Sequence, residues 1–109
     1  MGYLVHGRNE YAFDDRVLAH LKLAIAQKLR QQESFFVSWA VRPEEGSGRV
    51  SLWLSPSADL AFHFFGSKPP EINVAWVKAL AATSHSVQGI RVMSEHDAEQ
   101  FAAANPDLV

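Results

Sequence analysis

Cysteine is missing from the 109 residues of this chain, which excludes disulfides, thiol nucleophiles and the zinc or iron–sulfur sites that depend on cysteine. The absence is also typical of proteins that stay in a reducing compartment, so we expect a cytoplasmic location. Long apolar runs are missing as well, because none approaches the roughly 18 residues that a membrane-spanning helix needs. The N-terminal residues have neither the basic nor the apolar region of a signal peptide. We therefore expect no contact with a membrane.

A large excess of either charge is also lacking. Ten lysines and arginines stand against twelve aspartates and glutamates, and the net charge is −2. This balance argues against a strongly basic protein that binds nucleic acid or membranes through charge alone. The chain is 48% hydrophobic and 20% charged, as globular proteins are, and its length fits one domain. We expect a single domain over residues 1–109, with its core region at about 1–95 and a C-terminal helix at about 95–104.

Motifs of known catalytic chemistry are absent too. The five histidines form neither His-x-His nor His-Glu-x-x-His, which are spacings that hold catalytic metals. No serine lies in a Gly-x-Ser-x-Gly setting, and the segment Gly46-Ser-Gly48 has too few glycines for a phosphate-binding loop. We therefore assign no catalytic residue, no metal site and no cofactor. An enzyme is the least favoured class of function, because the sequence does not bring an acid, a base and a nucleophile together.

What the chain does have is clear hydrophobic periodicity. Alternation predicts strands at residues 3–6, 10–13, 35–41, 49–55, 60–65 and 90–93. Helical spacing predicts helices at residues 15–32, 74–84 and 95–104, with N-caps at Asp14 or Asp15, at Asn73 and at Ser94. The order ββαβββαβα indicates an α+β fold with a mainly antiparallel sheet and the two longer helices on one face.

The three strands at 35–41, 49–55 and 60–65 are joined by short loops, so we expect them to pair in that order as a meander. One face of it is then uniformly apolar and carries Phe35, Val37, Trp39, Val41, Val50, Leu52, Leu54, Leu60, Phe62 and Phe64. The other face is mixed. Its candidate binding residues are Phe36, Ser38, Arg49, Ser51, Trp53, His63 and Phe65.

The mixed face has more aromatic area than a solvated sheet face usually leaves in water. Three interpretations remain open: cover by the last helix or the hairpin, a protein–protein surface, or a pocket for a ligand or for nucleic-acid bases. The leading hypothesis of function is a non-enzymatic interaction module that forms a homodimer or binds a protein partner. Trp53 is the expected anchor, because Trp and Arg are frequent at the centres of interfaces.

The first helix is the most basic segment. Its polar arc carries Arg16, His20, Gln27 and Arg30, and it is a second candidate surface, for an acidic partner or for phosphates. The alternative is an ordinary solvated helix face. Together with Trp53, this arc is the basis of the alternative function, a nucleic-acid-associated accessory protein.

Several short motifs occur in the order that is typical of one protein family. They include Met1-Gly-x-Leu4, Asp15-Arg-Val-Leu-Ala-His-Leu-Lys22, Ser38-Trp39, Leu52-Trp-Leu-x-Pro-Ser57 and Asn73-x-x-Trp76. Over about residues 1–95 the chain resembles a family of small actinobacterial proteins of unknown function. Members of that family often carry the name ATP-dependent DNA ligase, but the resemblance implies no established activity.

Ligase chemistry can be tested directly. A DNA ligase forms its adenylate on a lysine followed by x-Asp-Gly, and none of the four lysines, at positions 22, 28, 68 and 78, has this setting. We predict that the purified protein incubated with ATP and magnesium gains no covalent adenylate, as measured by intact mass. A known ligase treated in parallel is the positive control. A gain of one adenylate that a single lysine substitution abolishes would contradict the prediction.

Overall fold

The computed structural model of the chain describes residues 1–41, 44, 46 and 48–108. Within these residues, six strands and three α-helices follow the predicted order, which confirms the α+β class. The strands are β1 (Gly2–His6), β2 (Asn9–Phe13), β3 (Phe35–Ala40), β4 (Arg49–Leu54), β5 (Leu60–His63) and β6 (Ile90–Arg91). The helices are α1 (Asp15–Arg30), α2 (Val74–Ala82) and α3 (Glu95–Ala104), and a short 3₁₀ helix at Thr83–His85 follows α2. No helix among the described residues is long and apolar enough to cross a membrane.

The strands form two sheets rather than one. The first has the order β2-β1-β5 and is antiparallel throughout. In the second, of order β4-β3-β6, β3 is antiparallel to β4 and parallel to β6. The predicted meander is therefore wrong, because β5 pairs with β1 and not with β4.

Two sets of hydrogen bonds hold β5 against the first sheet. At its start, the N–H of Gly7 donates to the carbonyl oxygen of Asp59 at 3.0 Å. At its end, the carboxylate of Asp15 accepts from the backbone N–H groups of Phe65 and Gly66 at 3.1 and 2.9 Å. These two N–H groups are therefore bound by a carboxylate instead of a neighbouring strand, and β5 ends at His63 rather than at residue 65 as predicted.

The three helix starts carry the predicted caps. Asp14, rather than Asp15, caps α1 by accepting from the N–H of Arg16. The side chain of Asn73 accepts from two N–H groups at the start of α2, and Ser94 accepts from the N–H of Asp97 in α3. The second helix has nine residues and is shorter than predicted, because its last turn tightens into the 3₁₀ helix.

The core lies where the helices meet the inner faces of both sheets. Its fully buried side chains include Leu4, Leu18, Leu21, Ile25, Val37, Leu54, Leu80 and Ile90. The periodicity of the sequence predicts a core that includes Leu21, Ile25, Leu52, Phe62, Trp39 and Trp76. Of these six residues, Trp39 and Phe62 are only partly buried, and the other four are buried. Trp39 lies at the seam between the sheets, with its ring in edge contact with Tyr11 and Phe13 of β2.

A glycine allows β6 to approach β3 closely. Gly89 has a φ of +73°, which lies in the left-handed region, and a Cβ atom at this position would lie 1.9 Å from the carbonyl oxygen of Phe36. The chain can therefore enter β6 beside β3 only without a side chain here. The parallel pairing of Val37 with Ile90 follows directly after it.

Truncation of Leu52 tests the inward direction of β4. Leu52→Ala should lower the free energy of unfolding by about 2–5 kcal/mol, because it removes buried methyl groups from the core. The matched variant Leu23→Ala, at a partly exposed position of α1, should change it by only about 0.5 kcal/mol or less. Urea denaturation followed by circular dichroism measures both. Equal effects of the two variants would show that β4 has a different register.

Candidate functional site

One side of the second sheet lies outside the core, and we call it the outer face. It carries Phe36, Ser38 and Ala40 of β3, Arg49, Ser51 and Trp53 of β4, and Arg91 of β6. The register places Phe36 opposite Trp53, Ser38 opposite Ser51, and Ala40 opposite Arg49. Arg91 pairs with Ser38 on the other side of β3. Because directly paired residues point to the same side of a sheet, these residues form three rows across it.

The first row is an aromatic pair. The rings of Phe36 and Trp53 meet edge to face, with centroids 5.0 Å apart and an angle of 64° between their planes. Both remain accessible to solvent, Phe36 at 40% and Trp53 at 54%. Two large apolar rings therefore lie side by side in water, which is unusual on the surface of a monomer.

The second row is a chain of hydroxyl groups. The hydroxyl of Ser38 donates to the carbonyl oxygen of Gln88 at 2.7 Å. Because this uses its only proton, the contact of 2.8 Å between the hydroxyl oxygens must be a bond from Ser51 to Ser38. Among the described residues, neither serine has a histidine or carboxylate as a hydrogen-bond partner. The pair therefore orders the sheet surface and lacks the base that a serine nucleophile needs.

A groove of about 990 Å³ runs between the outer face and α3. Its sheet side includes Ser38, Arg49, Ser51 and Arg91, and its helix side includes Asp97, Gln100 and Phe101. Within the described residues, neither Arg49 nor Arg91 forms an ion pair. The groove thus combines two guanidinium groups, one carboxylate and several neutral hydrogen-bonding groups beside the aromatic pair.

Five of the seven predicted residues of the mixed face come together here, and two do not. His63 and Phe65 lie elsewhere, because β5 joins the first sheet, where His63 is opposite Tyr3. The sequence reasoning missed Arg91 and the side chains that α3 contributes. Arg91 follows the buried Ile90, so alternation across the predicted strand at 90–93 could have placed it on the outer face.

The predicted basic arc of α1 is not one solvated surface. His20 is fully buried, which corrects its assignment to an exposed polar face. Its Nδ1 donates to the carbonyl oxygen of Arg16 at 2.7 Å, and its Nε2 accepts from the N–H of Asn73 at 2.8 Å. Since one ring nitrogen donates and the other accepts, the imidazole is neutral. Its ring stacks on Trp76, with centroids 4.1 Å apart.

Arg16 belongs to the same cluster. Its guanidinium donates to the carbonyl oxygen of Glu71 at 2.6 Å and to the carboxylate of Glu95 at 2.7 Å. It also lies 5.7 Å from the centre of the Trp76 ring. The amide of Asn73 donates to the same carboxylate at 2.8 Å. We call Arg16, His20, Asn73, Trp76 and Glu95 the interhelical clamp, because they join α1 to the starts of α2 and α3. Only Gln27 and Arg30 of the predicted arc remain exposed.

Two carboxyl groups of the described residues have lowered pKa values. Hydrogen bonds from Asn73 and Arg16 hold the pKa of Glu95 below its ordinary value. Backbone N–H groups of Gly66 and Phe65 likewise lower the pKa of Asp15. In both cases the ionised form is the one that the fold binds, so these groups have structural roles. No group of three or more histidine, aspartate or glutamate side chains suited to a metal lies among the described residues.

Comparison with known protein families gives a match over most of the chain. Residues 1–95 match DUF7882, a domain of unknown function. No curated protein and no solved structure matches the chain. The matched segment includes the whole interhelical clamp and all of β1 to β6, and it ends at the first residue of α3.

The clamp predicts how stability depends on pH. The lowered pKa of Glu95 means that its ionisation stabilises the folded state above its ordinary pKa of 4.5, and this stabilisation is lost as pH falls through the lower folded value. We predict that Glu95→Gln weakens the fold at neutral pH and flattens the decline of stability below pH 4.5. Chemical denaturation at a series of pH values measures both effects. Glu99→Gln, at an exposed position of the same helix, should keep the wild-type slope, and an equal flattening by both variants would contradict the prediction.

Proposed function

Because this chain belongs to the DUF7882 family, whose function is unknown, we propose its function from its surface: it is a non-enzymatic binding module that holds a protein partner on the outer face. The observation that most supports this proposal is the exposed aromatic pair of Phe36 and Trp53 beside the groove. The lack of cysteine supports a cytoplasmic setting. Ligase chemistry is not part of the proposal, because the sequence has no lysine in the required setting.

The chemistry of the outer face is that of an interface centre with a polar surround. Aromatic residues and arginine are enriched where protein interfaces bury most of their energy. Here Trp53 and Phe36 supply apolar area, and the two serines and Gln100 supply neutral hydrogen-bonding groups. A partner that contacts the pair removes part of its apolar surface from water, at a gain of about 25 cal/mol for each Å² buried.

The described contacts do not support the interpretation that α3 or the hairpin of β1 and β2 covers the outer face. The helix α3 packs against α2 and lines the groove with Phe101. It does not reach the aromatic pair, which keeps its exposure. The hairpin of β1 and β2 belongs to the other sheet and meets the second sheet from its core side, through Tyr11, Phe13 and Trp39. The area left in water therefore favours an external partner.

One observation favours a second candidate, the binding of single-stranded nucleic acid. Arg91 adds a second guanidinium to the face that already carries Arg49, and the exposed rings of Phe36 and Trp53 on the same face could stack on bases. The net charge of −2 opposes this candidate. Titration of the tryptophan fluorescence of wild type and Trp53→Ala with single-stranded oligonucleotides at several salt concentrations decides it. Tight binding that weakens steeply with salt would establish the second candidate in place of the first.

Capture of partners tests the proposed function. Immobilised wild-type protein is exposed to extract of its source cells with a crosslinker, and retained proteins are quantified by mass spectrometry. We predict that Trp53→Ala and Phe36→Ala reduce retention of a specific partner at least about tenfold, because interface centres depend on a few aromatic side chains. Circular dichroism checks that each variant is folded.

The control for unspecific adhesion is Phe65→Ala. Phe65 is 84% exposed, more than either ring of the pair, but lies beyond the end of β5. The Phe65→Ala variant should therefore retain the partner as wild type does. If Phe65→Ala and Trp53→Ala lower retention equally, the outer face is not the binding surface.

A further inference from the structure

The strand β4 lies at an open edge. The order of the second sheet is β4-β3-β6, and within the described residues β4 has β3 as its only hydrogen-bonded strand. Its six residues pair with β3 in one continuous register, from Arg49 with Ala40 to Leu54 with Phe35. Natural edge strands are usually blunted by a bulge, a proline, a charged side chain or extreme shortness. Of these devices β4 has only the charge of Arg49, at its first residue.

The hydrogen bonds show which backbone groups face the open edge. The N–H of Val41 donates to the carbonyl oxygen of Gly48 at 2.9 Å, so these two residues form a hydrogen-bonded pair. In an antiparallel ladder such pairs alternate with non-hydrogen-bonded ones. Val50, Leu52 and Leu54 therefore bond to β3. The N–H and C=O groups of the residues between them point away from β3, and these residues are Arg49, Ser51 and Trp53.

The same alternation is visible on the other side of β3. Ser38, opposite Ser51, accepts at its carbonyl oxygen from the N–H of Val92 at 3.0 Å. Its backbone therefore points to β6 and not to β4, as a non-hydrogen-bonded pair requires. The three edge residues of β4 thus present six backbone groups that have no partner within the described residues, with their side chains on the outer face.

We infer that the partner is a second copy of this chain, joined by antiparallel pairing of β4 with β4 about a two-fold axis at Ser51. This rests on the proposed function, since Trp53 of this edge belongs to the aromatic pair of the outer face. Ser51 then lies opposite Ser51 of the partner subunit, and Arg49 lies opposite Trp53 of the partner subunit. All six edge groups form hydrogen bonds, and the two sheets become one sheet of six strands.

Side-chain chemistry supports this register. Opposed residues in an antiparallel pair have Cβ atoms about 4.5–5.5 Å apart, which brings each guanidinium of Arg49 to an indole ring of Trp53 and permits cation–π contact. The two Arg49 side chains lie four residues apart along the paired strands, roughly 13 Å at 3.3 Å per residue, so like charges do not meet. Between them lie only two small hydroxyl groups.

Other open edges of the molecule offer less. The edge strand β5 has only four residues and is flanked by the bonds of Gly7 and Asp15. The edge strand β2 has five residues and carries Glu10 at an exposed position, and the edge strand β6 has only two residues. With six residues, β4 is the longest edge strand among the described residues.

Charge placed at the two-fold axis tests the pairing. Sedimentation equilibrium should give a dimer for wild type. Ser51→Lys and Ser51→Glu should each raise the dissociation constant at least about tenfold, because each places like charges directly opposite each other. A one-to-one mixture of these two variants should recover the dimer, because lysine then faces glutamate. Ser57→Lys, in the exposed turn after β4, is the matched control and should dimerise as wild type does.

Hydrogen exchange supplies a test that needs no variant. The amides of Arg49, Ser51 and Trp53 should become protected as protein concentration rises, whereas those of Val50 and Leu52 should be protected at all concentrations. A monomeric wild type at every concentration, or equal weakening by Ser51→Lys and Ser57→Lys, overturns the edge pairing. If the wild type is monomeric but Trp53→Ala still loses a captured partner, the pairing fails and the proposed function stands. If the dimer forms but capture does not depend on Trp53, the edge pairing stands and the proposed function fails.

Discussion

The pairing of β5 with β1 determines which surfaces of this protein remain free. Phe62 of β5 lies opposite the fully buried Leu4, so β5 completes the first sheet. The carboxylate of Asp15 binds the chain directly after β5 and keeps it there. As a result, nothing that the structure describes covers the free side of β4, and the outer face keeps its aromatic pair. A meander would have placed β5 over that edge.

The interhelical clamp also affects the groove beside the outer face, because it holds the start of α3. Glu95 is the first residue of α3, and its carboxylate accepts from Arg16 of α1 and from Asn73, the N-cap of α2. One ionised group therefore joins the start of α3 to two other helices. Because α3 also packs against α2 and forms one wall of the groove, the clamp helps to position that wall.

Local pattern predicted the elements well, and their partners poorly. Alternation places side chains on one or the other side of a strand, so the direction of Val37, Leu52 and Trp53 could be read from the sequence. It contains no information on which strand lies alongside, because that choice depends on contacts far apart in the chain. His20 shows the same limit in a helix. Its place on the polar arc was correct as angular geometry, but its burial depends on the N–H of Asn73, which is 53 residues away.

Because a strand repeats every two residues, the same three residues of β4 offer a partner both their side chains and their backbone groups. Arg49, Ser51 and Trp53 direct their side chains to the outer face, and the same alternation turns their N–H and C=O groups to the open edge. In strand addition, main-chain hydrogen bonds supply affinity and alternate side chains supply specificity. A partner strand at this edge meets an arginine, a small hydroxyl and an indole in a fixed order. Since that order is complementary to its own reverse, with the ring opposite the cation, the proposed pairing of two copies meets both requirements.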